Sequence, residues 1–207
     1  MGRKRVLTYG VGVNDASYLV VKHEHVNGKR VAIWRCPVFQ AWRRMLERCY
    51  SERFQILWPT YVGCKVQEEW LLFSNFRGWM IDQEWHGKVL DKDLLVRGNK
   101  LYSQNTCVFI PEALNLFLTD HGRFRGDCPI GAYWDKSKGK FMALCRDPFT
   151  KKQEKLGGFS NPEEAHEAWR KRKHEIAIIY AGMQKDPRVA TALMTRFLAP
   201  YKEIREV

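Results

Sequence analysis

The segment from residue 129 to 182 constrains the fold most, because it pairs three short β-rich runs with one long, fully signalled helix. The runs lie around Gly131 to Trp134, Lys140 to Arg146 and Lys155 to Phe159, separated by the turn-forming strings SKG and DPFTKK. Asn161 is suited to cap the helix that follows, Pro162 fits its first turn, and Glu163 and Glu164 complement its positive end. Gly182 follows the last apolar residues, and Ala165, Ala168, Trp169, Ile176, Ala177 and Tyr180 recur with helical spacing toward a sheet. A shorter helix is expected from about Asp186-Pro187. Three strands under one helix leave the second sheet face bare.

Upstream the pattern differs. Asp120 to Cys128 carries two glycines among charges and no apolar period, which marks a linker. The expected organisation is an N-terminal domain over 1–119, the linker over 120–128 and a sheet-plus-helix domain over 129–207, giving an α+β fold. In the first domain, residues 18–34 flank Asn27-Gly28, a pair that tolerates the positive φ angles of a type I′ hairpin turn. From Pro37 the spacing of Phe39, Trp42, Met45, Leu46, Cys49 and Tyr50 is helical, with Arg43, Arg44 and Arg48 on the outer side. Trp70, Phe73, Phe76 and Met80 predict a second helix over Glu68 to Met80. His23 and His25 share a strand face, as a solvated pair or, with a third ligand, a metal site.

Six cysteines, none in a CxxC pair, read as reduced thiols, so zinc is not expected, although Cys49, Cys64 and Cys107 have the chance to converge. No apolar run approaches the roughly 20 residues of a membrane span, and the basic start precedes no signal-peptide core. A cytoplasmic protein is expected.

The net charge is +12, which favours a polyanionic partner. Residues 1–80 carry 13 Lys/Arg against 6 Asp/Glu, 81–125 carry 6 of each, and 126–207 carry 16 against 11. Two basic segments thus flank a neutral one. Between Ile130 and Leu156, Lys136, Lys138, Lys140, Arg146, Lys151, Lys152 and Lys155 face three acids, with Tyr133 and Trp134 interleaved. A basic three-stranded sheet of this kind can enter a major groove.

The string GAYWDKSKGKFMALCRDPFTKKQEKLGGFSNPEEAHEAWRKRK resembles the ethylene-response-factor (APETALA-type) DNA-binding domain in its GKF step, RDP turn, LGGF strand and EEAHEAW helix. The resemblance implies that the bare sheet face reads the major groove of double-stranded DNA through Tyr133, Lys138, Leu144, Arg146, Gln153 and Lys155. Several family arginines and tryptophans are replaced, so the family's target site does not carry over.

The neutral middle holds VLDKDLLVRGNKLYSQNTCVFIPEALN. Asp91 and Asp93 fall on one side of a short strand, Asn105 follows, and Asn115 opens a helix-like run. Carboxylates and amides suit a hard ion such as Mg²⁺ or Mn²⁺, which activates water against a phosphodiester. The order of AWRRMLERCY, YVGCKVQEEWLLFSNFRGWM, LDKDLL and YSQNTCVFIPEALN resembles phage HNH-type endonucleases from about Cys36 to Leu118. That resemblance implies Asp91 and Asn115 as metal ligands, within a candidate catalytic group of Asp91, Lys92, Asp93, Asn105 and Asn115. Lys92 stands where an active HNH strand has its histidine base, and neither His86 nor His121 is at the matching place. Equally, the Asp-Lys-Asp run reads as paired charges pinning a strand. The functional expectations are a metal-dependent DNA endonuclease, a decayed nuclease acting as a DNA-binding regulator, or a phage factor aimed at a host protein.

Overall fold

The computed structural model describes residues 6–119 and 127–198, and these divide into two compact units between Pro111 and Glu112. The fold is α+β. Most of the linker expected over 120–128, and His121 with it, lies outside the described residues. Among the described residues no helix is long and apolar enough to cross a membrane.

The first unit opens with a hairpin of β1 (Val21–Val26) and β2 (Lys29–Arg35). Asn27 and Gly28 have φ of 51° and 74°, the positive pair that the right-handed strand twist requires of a two-residue turn. Helix α1 (Pro37–Tyr50) buries Trp42, Met45, Leu46 and Cys49, as its spacing predicts. Arg43 and Arg44 are exposed, but Arg48 turns inward among Tyr61, Tyr102 and Asp91, contrary to the expectation of a wholly basic outer face. Burial alone would lower the Arg48 guanidinium; those neighbours raise it above its ordinary value.

The helix predicted over Glu68 to Met80 is two pieces, a 3-10 turn at Glu68–Leu71 and α3 (Phe73–Ile81), after the short α2 (Glu52–Leu57). Val13 causes the break. Its N–H donates to Leu71 O (2.8 Å) and its carbonyl accepts from Phe73 N (3.0 Å), so an extended segment takes the bonds a continuous helix would make. The aromatics still pack: Trp42, Phe73, Phe76 and Trp70 are essentially inaccessible, and Trp42 Nε1 donates to Trp70 O at 2.6 Å. A small parallel pair joins β3 (Lys65–Val66) to β5 (Leu101–Tyr102), and β4 (Lys88–Asp91) pairs antiparallel with β6 (Val108–Pro111).

The second unit begins with α4 (Glu112–Leu118) and continues with β7 (Ala132–Asp135), β8 (Lys140–Arg146) and β9 (Gln153–Phe159), an antiparallel sheet in that order. Helix α5 (Pro162–Gly182) starts with Asn161 Oδ1 accepting from Glu164 N (2.8 Å), and α6 (Pro187–Thr195) with Asp186 capping Arg188 N. Ala132, Ala143 and Ala165 bring α5 close to the sheet, and Phe141, Leu156, Phe159 and Ala168 complete that layer. Trp169 lies on Gly131, where an added Cβ would meet Trp169 Cγ at 2.0 Å. Phe117 of α4 packs on Tyr180 (5.2 Å between rings), and Lys173 of α5 holds the Phe117 carbonyl.

Candidate nucleic-acid interface

Strand register sorts the C-terminal sheet into two faces, because cross-strand partners project to the same side. The pairs Ala132↔Ala143 and Trp134↔Phe141 lie on the α5 side with the Ala165 layer. Trp134 contacts Phe141 at 4.7 Å between rings, so it belongs to the helix side and not to the basic face where the sequence placed it. Tyr133↔Met142, Leu144↔Lys155 and Arg146↔Gln153 lie on the opposite, outer face. A bulge after Ala143 passes over Leu156 and keeps Lys155 outward while Leu156 packs inward. Tyr133, Leu144, Arg146, Gln153 and Lys155 are therefore brought together; Lys140 joins them at one end. Lys136 and Lys138 lie in the turn between β7 and β8, Lys151 and Lys152 in the turn between β8 and β9.

The acids of the same segment are engaged elsewhere. Glu154 points to the helix side, where Arg172 of α5 grips both its oxygens (2.6 and 3.0 Å) and holds its carboxyl below the ordinary value. Asp147 Oδ1 accepts from Phe149 N and Thr150 N, closing the turn, and these donors lower its carboxyl too. Asp135 accepts from the N–H and hydroxyl of Ser137 and pairs with Lys138 at 3.6 Å. Among the described residues Lys140, Arg146, Lys151, Lys152 and Lys155 make no ion pair, and all are exposed. Positive charge is thus directed outward while negative charge is spent on the fold.

The Asp91 region is built differently. Asp91 is the last residue of β4, and Lys92 and Asp93 follow it in a loop, where the sequence had put both aspartates on one strand. Asp91 Oδ1 accepts from Asp93 N (2.8 Å) and Leu94 N (2.7 Å), an Asx turn that starts the loop. Lys92 is buried at 5% exposure; its Nζ donates to both Asp93 oxygens (2.7 Å each) and to Asn99 O (2.6 Å), beside the Tyr102 ring. The Lys92 side chain is thus tied to Asp93 and to the Asn99 carbonyl of its own loop. Asn99 closes the loop by donating to Lys92 O and Leu101 O.

Asn105 is exposed in the Ser103–Thr106 turn, and Asn115 is inside α4, in the second unit. Among the described residues no three His, Cys, Asp or Glu gather to hold a metal ion. Of the expected Asp91–Asn115 donor pair, Asp91 lies in the first unit and Asn115 in the second, and Asp91 Oδ1 accepts from two N–H groups of its own loop. His23 Nδ1 lies 3.2 Å from Arg30 Nη2, where a guanidinium occupies the position a cation would need. His86 stacks on Trp85. All six cysteines are free; burial pushes the Cys49 and Cys107 thiols up to about 12, Cys64 and Cys107 adding to the rise at Cys49.

Comparison with family models, with curated proteins and with solved structures gives no match for this chain.

Proposed function

We propose that this protein binds double-stranded DNA through the outer face of the β7–β9 sheet and does so without cleaving it. The carrying observation is the segregation of charge in that sheet, with Arg146, Lys155 and Lys140 outward and Glu154 and Asp147 held by Arg172 and by a turn. Strands spaced about 4.8 Å apart make a three-stranded sheet roughly 10 Å across, a width that a major groove of about 12 Å admits. Arg146, paired with Gln153 on β9, offers a guanidinium fork to a guanine edge, and Tyr133 and Leu144 supply apolar contact for a thymine methyl. The turn lysines Lys136, Lys151 and Lys152, with Arg43 and Arg44 of α1, serve as phosphate contacts.

The non-cleaving part of the reading is supported by Lys92, which is tied to Asp93 and Asn99, and by Asp91, which caps its own loop. Fluorescence anisotropy with duplex DNA tests the binding. Arg146→Ala should weaken the specific complex by roughly 1–3 kcal/mol and relax preference at one base pair. Affinity that is weak and unchanged between about 50 and 200 mM salt would overturn the reading and point to a protein partner instead. Supercoiled plasmid incubated with Mg²⁺ or Mn²⁺ should remain intact; nicking that chelator and Asp91→Ala both abolish would restore the nuclease.

A further inference from the structure

Among the described residues the β1–β2 hairpin pairs with no further strand, and all of its strand residues except Val21 and Ala32 are exposed. Such a pair buries little apolar surface and adds little to stability. Its two faces differ in charge. Register places His23↔Ala32 and His25↔Arg30 on one side, with Val21↔Arg35 at the base of the same side. That face holds His23, His25, Arg30 and Arg35 and no acid. The other holds Lys22↔Trp34, Glu24↔Val31 and Val26↔Lys29, mixed in charge and partly apolar. On the cationic face Arg30 Nη2 is 3.2 Å from His23 Nδ1, which orients the guanidinium, and desolvation, with Arg30 and Arg35 adding to it, keeps His23 toward its neutral form.

We infer that this hairpin is a second contact for B-form duplex DNA, laid into the major groove with the His23, His25, Arg30 and Arg35 face toward the duplex. The inference rests on the proposed DNA binding but uses residues of the other unit. Two strands about 4.8 Å apart fit a groove about 12 Å wide and 8.5 Å deep. Arg30 and Arg35 are five residues apart on β2, roughly 16 Å along the strand, far enough apart to meet separate phosphates. Charge complementarity selects the polyanion. The deep, narrow major groove of A-form RNA does not admit a ribbon.

The test uses the full chain and a labelled duplex of about 25 base pairs, read by anisotropy across a salt series. Arg30→Ala/Arg35→Ala should bind about tenfold more weakly and lower the salt slope by about two, with an unchanged melting temperature because both side chains are exposed. Arg30→Lys/Arg35→Lys should recover most of the affinity. On duplex RNA of the same length the hairpin substitution should have no effect. Arg146→Ala/Lys155→Ala, made in parallel, separates the two ideas. If the sheet variant loses affinity and the hairpin variant does not, the hairpin contact falls while DNA binding stands; if the unaltered protein does not bind duplex DNA, both fall. An equal loss on RNA, or a loss that lysine does not relieve, overturns the groove contact.

Discussion

Replacing Lys92 by Met removes an ammonium while keeping a flexible chain of similar length in a site only 5% exposed. Two losses follow. The pair with Asp93 contributes little, because the Asp93 side chain is 43% exposed and water takes over its charge, an effect of about 0–1 kcal/mol. The Asn99 carbonyl loses its donor within the loop, at about 1–3 kcal/mol for an acceptor left unsatisfied. The stem stays packed, so no large cavity term is added. The expected destabilisation is about 2 kcal/mol, and with a urea slope of about 1.5 kcal/mol per M the midpoint should fall by roughly 1.3 M. Tryptophan fluorescence is the assay, since Trp34, Trp42, Trp58, Trp70, Trp79 and Trp85 all lie in the first unit and only Trp134 and Trp169 in the second. DNA affinity through the sheet should be unchanged under conditions where the variant is folded. A midpoint shift below about 0.3 M would refute the view that Lys92 pins this loop.

Two further outcomes concern the second unit. Gly131→Ala forces a left-handed φ of 83° on alanine and drives a Cβ into Trp169; about 2–5 kcal/mol of destabilisation is expected, and a melting temperature within a degree or two of the parent would contradict that packing. The Glu154 carboxyl is lowered from 4.5 by its bonds to Arg172, so the folded state gains from the ionised form above that value and loses the gain as pH falls through the lowered one. Urea midpoints at neutral and acid pH should therefore decline less in Glu154→Gln than in the parent, and parallel declines would exclude the linkage.

Much of the fold was legible because its signals are local. Asn27-Gly28, the Pro37 helix, the range of β8 and the Asn161-Pro162-Glu163-Glu164 start each act within a turn or two, and the observed elements follow them. The sheet positions Leu144 and Arg146 were named only through the resemblance; in the structure they alternate with Cys145 along β8, and the side of Trp134 depends on its partner Phe141. The hairpin cations were visible as charges, yet their common face needed the bulge at Lys22 and His23, which shifts the register.

By itself, then, the sequence determined the turns, the caps, the amphipathic helices and the excess of positive charge, all set by short-range energies. Tertiary structure decided what residues far apart in the chain do to one another. Val13 splits a helix near Leu72, Arg172 draws Glu154 to the covered side of a sheet, and Arg48 turns inward to Tyr102. Lys92 shows the difference most plainly. Its neighbours Asp91 and Asp93 suggested chemistry, but the return of the chain at Asn99 and the Tyr102 ring bury it, and a buried ammonium is stable only where every proton finds an acceptor.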